Sequence, residues 1–329
     1  MSTQNSEGRI VYADFCKLVA IFLVTWGHCS QALSGLSFPP IFGVPGLLIP
    51  VHMPLFMMMS GFFINPTKIR NASFGFFIWS KTQRLLVPSI VWYFLFCLVS
   101  FHLPTLWEGI NYYWYLNSLF VCYIIIYITV KISGNHLIVG CLASILIVVF
   151  SPYSSYLKIN FMYPFLWAGY FLRKFIESDR SRLPLELVLL TVSLYLYAFW
   201  DVQDSVYLTP FDTLFFSFDS LLVYLYRFSL GFICSTAIVL SIKRFIANKN
   251  ILPSFALLGR DTLFVYVSSF IINAIVAHFF KHYNFYFSTV GVLDFISVLF
   301  TLLIILSCSF AAKLIRKNAT ARLLILGEQ

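Results

Sequence analysis

The chain has 329 residues, of which 60% are hydrophobic and only 11% are charged. A soluble domain carries about a quarter charged residues, so this composition excludes an ordinary soluble protein and predicts a polytopic membrane protein. The formal net charge of +9 does not indicate nucleic-acid binding, because the basic residues cluster in short loops between apolar segments. The seven cysteines form no CxxC pair and lie mostly in apolar segments, where cysteine is a small buried hydrophobe.

About ten apolar segments are long enough, or nearly long enough, to cross a bilayer as helices. We therefore predict an all-α, polytopic transmembrane helical bundle that forms a single membrane domain over residues 1–329. Segment 73–80 is too short to span, so we expect it to lie at the membrane interface before the third span. Segment 136–151 is the weakest of the predicted spans, because it is short. The predicted spans are 11–33, 43–64, 84–103, 114–132, 136–151, 159–175, 183–200, 222–242, 262–280 and 289–312.

The distribution of Lys and Arg between the loops predicts the orientation of the chain. Basic residues are frequent in the second, sixth and eighth connections and in the C-terminal tail, whereas the seventh connection is acidic. Cytoplasmic loops carry such an excess of Lys and Arg, so we expect both termini in the cytoplasm. We do not expect the first apolar segment to be a cleavable signal peptide, because it carries Asp14 and Lys17 and lacks a basic n-region.

The first span carries Asp14, Lys17 and His28 on one stripe of an otherwise apolar helix. Lys17 and His28 are separated by about three full turns with roughly 20° left over, and Asp14 lies roughly 40° from His28. The imidazole is therefore about 16 Å along the helix from the ammonium group. Ionisable groups inside a membrane helix are costly unless they face a protein interior or a wet cavity, so this stripe predicts a functional site. Cys29 is about 100° away around the helix and is not expected to act as a nucleophile.

One further candidate site lies in the second span and another lies between the second and third spans. His52 lies near its predicted outer end, at a depth like that of His28, and either shares a pocket with His28 or lies at the headgroup boundary. Lys81 and Arg84 precede the third span on the predicted cytoplasmic side, one helical turn apart. This basic pair suits a phosphate or an anionic headgroup, although ordinary positive-inside anchoring also explains it.

The fourth span begins with Trp114 and Tyr115. They are typical of the aromatic belt at a membrane interface, and an acceptor-binding platform at the outer mouth is the alternative. His278 and His282 have a helical metal-ligand spacing but no third ligand, so we expect no metal.

Several stretches together resemble the acyltransferase-3 family of bacterial integral-membrane acyltransferases, and within it the fucose 4-O-acetylase-like branch. They are RIVYADFCKLVAIFLVTWGH at 9–28, HMPLFMMMSGFF at 52–63, KTQRLLVPS at 81–89, WYLNSLF at 114–120 and LLGRDTLFVYV at 257–267. The basic-x10-His pattern of the family maps onto Lys17 and His28, and its RxxR-like element maps onto Lys81 and Arg84. Many relatives carry a His at the end of an iYllH stretch, which here reads Tyr266-Val267-Ser268-Ser269. The SGNH domain that is fused to some relatives is not expected in this chain.

The resemblance implies transfer of an acetyl group from acetyl-CoA to a sugar hydroxyl of a surface glycan, in the bacterial inner membrane. It implies that Lys17, Arg84 and Lys81 bind the donor phosphates, and that His28 acts as general base or transient acyl carrier. Asp14 then orients or neutralises Lys17. His52, Trp114 and Tyr115 then line the acceptor side. The predicted partners are therefore acyl-CoA, a sugar or polysaccharide acceptor and membrane lipids, and the rival interpretation is a secondary transporter or flippase.

Overall fold

A computed structural model describes residues 10–35, 43–132, 136–150, 157–178, 183–207, 217–247, 257–284, 286–287 and 289–328. Within these ranges the chain is helical and forms no β-strand, so the all-α prediction is confirmed. The helices are α1 Val11–Ser34, α2 Val44–Phe62, α3 Pro66–Asn71, α4 Phe74–Lys81, α5 Val87–Ser100, α6 Leu106–Tyr112, α7 Trp114–Ile132, α8 His136–Phe150, α9 Ile159–Glu177, α10 Leu183–Tyr197, α11 Phe218–Ala247, α12 Thr262–His282 and α13 Val290–Ile315. Short helical turns follow at Ala319–Ala321 and Arg322–Leu326.

Seven helices in the described ranges are long and apolar enough to cross a bilayer, so this is a multi-pass membrane protein. They are α1, α2, the continuous stretch Phe74–Ser100, α7, α11, α12 and α13. The other three predicted spans coincide with α8, α9 and α10, which are helices but are not among the seven. The count of about ten spans, and the cytoplasmic location of both termini, therefore stay predictions. Residue 151, the last of the fifth predicted span, lies outside the described residues.

The third span differs from its predicted form. The structure does not separate 73–80 as an interfacial segment but continues it through Thr82–Leu86 into α5. The connection is a wide π-helical turn in which the Val87 amide donates to the Thr82 carbonyl. Pro88 explains this turn, because a proline ring clashes with the carbonyl one turn earlier and has no N–H to donate. The helix widens just before the proline instead of ending.

The chain divides into two compact units, each made of three separate stretches. The first unit contains Met1–Phe56, Asp179–Leu208 and Arg227–Lys313. In it, α1 packs along α12 and against the turn Leu257–Arg260. A side-chain hydrogen bond also connects α1 to α13, because Trp26 Nε1 donates to Ser297 Oγ at 2.9 Å.

The second unit contains Met57–Ser178, Thr209–Tyr226 and Leu314–Gln329. Here α7 packs against α3, α4, α8 and α9, and the C-terminal turn Arg322–Leu326 packs against α5. The C-terminal segment is held by hydrogen bonds, because Trp92 Nε1 donates to the Ile325 carbonyl at 3.2 Å and Arg316 forms a two-pronged ion pair with Glu328. The prediction of a single membrane domain is not tested by this division and stays a prediction.

Candidate active site

The N-terminal half of α1 carries an ion pair between its first two ionisable residues. Asp14 is only 6% exposed, and its Oδ1 lies 3.3 Å from Lys17 Nζ. Asp14 is in the first turn of the helix, where a negative charge interacts favourably with the helix dipole. The pairing allows both charges to occupy an otherwise apolar segment at a lower cost than either would have alone. Helix α1 ends at Gly35, whose φ of 67° is a left-handed conformation that glycine adopts without strain.

His28 lies on the same uninterrupted helix and faces α12. Its ring centroid is 4.6 Å from that of Phe270, and its Nδ1 is 3.2 Å from Gln31 Oε1. The side chain is half-buried, so its ring is in contact with protein rather than wholly with lipid. Since α1 is helical from Val11 to Ser34, the predicted rise of about 16 Å from Lys17 to His28 follows from the helix geometry.

His52 of α2 belongs to the same unit as His28. Its Nδ1 donates to the Leu48 carbonyl oxygen at 2.9 Å, so in the neutral ring the lone pair is on Nε2. The ring stacks on Tyr207, with 6.4 Å between centroids. A pocket shared by His28 and His52, and a role for His52 in acceptor binding, stay predictions.

The turn at Leu257–Arg260 fixes the position of α1 at Asp14. Gly259 lies so close to α1 that a Cβ on it would overlap the Asp14 carbonyl oxygen. The neighbouring Asp261 is also buried, at 6% exposure. The turn Leu257–Arg260 therefore supports the N-terminal part of α1 through its backbone.

Lys81 and Arg84 lie in the second unit, at the wide turn before α5. Lys81 ends α4 and Arg84 lies inside the π-helical turn Thr82–Leu86, and a phosphate-binding role for the pair stays a prediction. Lys81 Nζ lies 3.8 Å from the centroid of the Tyr123 ring, a cation–π contact, and Arg84 is exposed. The two cations remain close enough for their charges to interact.

Trp114 and Tyr115 begin α7 in the second unit and have different environments. Tyr115 is only 3% exposed and shares a hydrogen bond with Ser60 Oγ at 3.1 Å, so it is a packing residue between helices. Trp114 is half-buried, and Lys158 Nζ lies 5.1 Å from its ring centroid. Burial lowers the pKa of Lys158 to about 8. An acceptor role for Trp114 and Tyr115 stays a prediction.

Sequence reasoning missed two residues that contact His28, namely Gln31 and Phe270. Gln31 follows His28 by one turn on the same helix, so the periodicity of the first span contained a signal for it. Phe270 lies on α12, and the long sequence separation left no signal for that contact. Cys29 is fully buried, and its expected lack of a nucleophilic role stays a prediction.

Comparison with known proteins identifies the family. Residues 10–313 match a family model described as an acyltransferase domain. The chain belongs to the acyltransferase-3 family. No solved structure matches this acyltransferase-3 chain.

Two curated proteins similar to this acyltransferase-3 chain are both called Nodulation protein NolL. The protein from Sinorhizobium fredii is 23% identical over 222 residues, covering 62% of this chain and 58% of the relative. The protein from Mesorhizobium japonicum is 28% identical over 183 residues, covering 50% of this chain and 48% of the relative. The chain therefore spans about half the length of the curated relatives that it matches.

Proposed function

We propose that this protein moves an acetyl group from cytoplasmic acetyl-CoA to a sugar hydroxyl of a cell-surface or lipid-linked glycan, in the bacterial inner membrane. Membership of the acyltransferase-3 family supports acyl transfer as the reaction class. The observation that carries the finer proposal is the arrangement of α1. One helix presents a paired cation near one end and a half-buried imidazole about 16 Å further along.

Lys17 is the proposed donor-binding residue of the first unit. Coenzyme A is rich in phosphate, and an ammonium group at the inner end of a span suits a phosphate as a point charge. The pantetheine arm is about as long as the 16 Å rise from Lys17 to His28, so the thioester can reach the imidazole while the nucleotide stays at the inner end. Asp14 holds Lys17 through their 3.3 Å contact. Lys81 and Arg84 of the second unit remain predicted phosphate ligands.

His28 is the proposed general base. The imidazole takes the proton of the acceptor hydroxyl as the sugar oxygen attacks the thioester carbonyl carbon. The C–O bond forms, the C–S bond breaks, and the proton passes to the departing CoA thiolate. A variant of this reaction has His28 carry the acetyl group first, with CoA leaving as the thiol before the sugar attacks. His52 is the proposed residue on the acceptor side in the first unit, and Trp114 and Tyr115 are those of the second unit.

The experiment is the release of free CoA from acetyl-CoA by membranes that contain the protein, with and without an added glycan acceptor. We expect release that depends on the acceptor, and a loss of about 10²–10⁴-fold in His28→Ala, the usual contribution of general acid–base catalysis. His278→Ala is the matched control, since His278 is an exposed histidine of α12. Transport of acetyl-CoA or glycan with no CoA release would contradict the proposal and favour the transporter.

A further inference from the structure

Gln31 makes the hydrogen bond that decides which nitrogen of His28 carries a proton. His28 Nδ1 and Gln31 Oε1 are 3.2 Å apart, one helical turn from each other on α1. An amide oxygen only accepts hydrogen bonds, so this contact requires a proton on Nδ1. A neutral imidazole has one N–H, so Nε2 then holds the lone pair that a general base needs.

The rest of the surroundings of His28 leaves Nε2 available. Phe270 holds one side of the ring, at 4.6 Å between centroids, and offers no strong hydrogen-bond acceptor or donor. Among the residues that the structure describes, Nε2 has no hydrogen-bond partner, and Gln31 is the side chain that bonds to the ring. The ring nitrogen of His28 that can accept a proton therefore depends on the hydrogen bond to Gln31.

The amide nitrogen of Gln31 gives no packing reason for a polar residue at this position. Gln31 Nε2 is buried and makes no hydrogen bond within the described part of the chain. A buried amide donor without a partner is costly, and an apolar side chain of the same length would avoid that cost. The contact with His28 supplies a reason for an amide at this position.

We infer that Gln31 is a positioning residue, which holds the His28 ring with its proton on Nδ1 and its lone pair on Nε2. This inference rests on the proposed function, since that function gives His28 the task of a base. Gln31 does not touch the reacting atoms in this arrangement. It acts through the orientation and the tautomer of the imidazole, as the partner of a catalytic histidine commonly does.

Two substitutions separate positioning from packing. Gln31→Met keeps the length of the side chain and its helix propensity but removes the acceptor oxygen. Gln31→Glu keeps an oxygen that accepts from Nδ1–H, so it should act as the conservative variant. Gln203→Met, at an exposed position of the same unit, is the matched control.

The test combines ¹⁵N NMR of histidine-labelled protein in membranes with acetyl-transfer kinetics, and His28→Ala assigns the His28 signals. We expect wild-type and Gln31→Glu to carry the proton on Nδ1, and Gln31→Met to shift toward the form that is protonated on Nε2. Gln31→Met should lose about tenfold in kcat, a change of about 1.4 kcal/mol in the barrier, with an unchanged KM for acetyl-CoA. Gln31→Glu and Gln203→Met should keep kcat close to the wild-type value.

The inference is overturned if Gln31→Met keeps the Nδ1 proton, or if Gln31→Glu loses as much kcat as Gln31→Met. A wild-type protein that releases no CoA overturns the proposed function instead. In that case the NMR spectra still decide whether Gln31 sets the position of the His28 proton, so the two failures are distinguishable.

Discussion

Lys17 shows how a membrane protein holds a cation in an otherwise apolar helix. Its ammonium group is paired with Asp14 at 3.3 Å, and its side chain is 24% exposed. A cation that only stabilises the fold needs no contact beyond its partner carboxylate. A cation that remains partly exposed can also interact with an incoming anion, so Lys17 can contact a donor phosphate without losing Asp14.

We predict that Lys17→Met raises the KM for acetyl-CoA by about tenfold or more and changes kcat little. The reason is that a charge-assisted hydrogen bond to phosphate contributes about 1.5–3 kcal/mol, which is lost with the ammonium group. The measurement is initial-rate kinetics in membranes. Lys313→Met is the control, since it makes the same change at an exposed residue of the last turn of α13. Equal effects of the two substitutions would contradict a specific role for Lys17.

The sequence was sufficient to predict the stripe of Asp14, Lys17 and His28, because α1 is a regular helix and helical periodicity then places the residues. It was not sufficient for the contact between His28 and Phe270, because that contact depends on how α12 packs against α1. It also gave no signal for the environment of Tyr115, whose ring the structure buries and whose hydroxyl shares a hydrogen bond with Ser60. Aromatic residues at the start of a span have the same sequence pattern whether they lie at the membrane interface, line a binding platform or pack between helices.

Among the structural elements, the turn Leu257–Arg260 requires a glycine because it lies against the backbone of α1. A Cβ at Gly259 would overlap the Asp14 carbonyl oxygen, so Gly259→Ala must push the turn away from α1. We predict a destabilisation of about 1–3 kcal/mol, as for an overpacked core, measured as a lower Tm in detergent. Gly291→Ala is the control, because a Cβ there meets no atom within 4 Å. A Tm of Gly259→Ala equal to that of wild type would contradict this packing.

A second close approach joins α2 and α9 in the second unit. A Cβ at Gly61 would overlap the Leu166 carbonyl oxygen, and a Cβ at Gly169 would overlap that of Met58. Each glycine thus accommodates the other helix's backbone, which is how small residues allow membrane helices to pack closely. The sequence analysis did not predict this reciprocal contact, although small residues occur in both segments.

We predict that Gly61→Ala and Gly169→Ala each lower the Tm, and that the double variant loses less than the sum of the single losses. The helices separate once, and the second methyl group then enters space that the first has already opened. Thermal unfolding of the three variants in one detergent is the measurement. Gly75→Ala should be neutral, since its Cβ would have no neighbour within 4 Å. Additive losses in the double variant would show that the two glycines do not share one contact.

The hydropathy pattern did not predict the π-helical turn before α5. Hydropathy separated 73–80 from the third span, because Lys81 and Arg84 interrupt the apolar run. The backbone instead stays helical from Phe74 to Ser100, and Pro88 accounts for the wide turn. A charge interrupts the hydropathy pattern without interrupting a helix, so hydropathy placed a break before the third span where the structure has none.

At the scale of the whole molecule, the orientation in the membrane is a prediction from charge. We expect Thr67→Cys to be labelled only from the cytoplasm and Gln203→Cys only from outside, because the two positions lie in the second and seventh connections. The measurement is labelling of Thr67→Cys and Gln203→Cys in intact cells and in inverted vesicles by an impermeant maleimide. Both positions are exposed, and Cys141→Ser is the suitable background, since Cys141 is exposed. Labelling of position 203 from the cytoplasm would contradict the proposed orientation.

The mass of the surface or lipid-linked glycans from cells that produce wild-type protein or His28→Ala tests directly whether His28 performs the transfer. We expect an acetyl-sized increment on a sugar with the wild-type protein, and its loss with His28→Ala at an equal level of inserted protein. His278→Ala should retain the increment. Glycans that carry the same acetyl group with wild-type protein and with His28→Ala would contradict the claim that this imidazole performs the transfer.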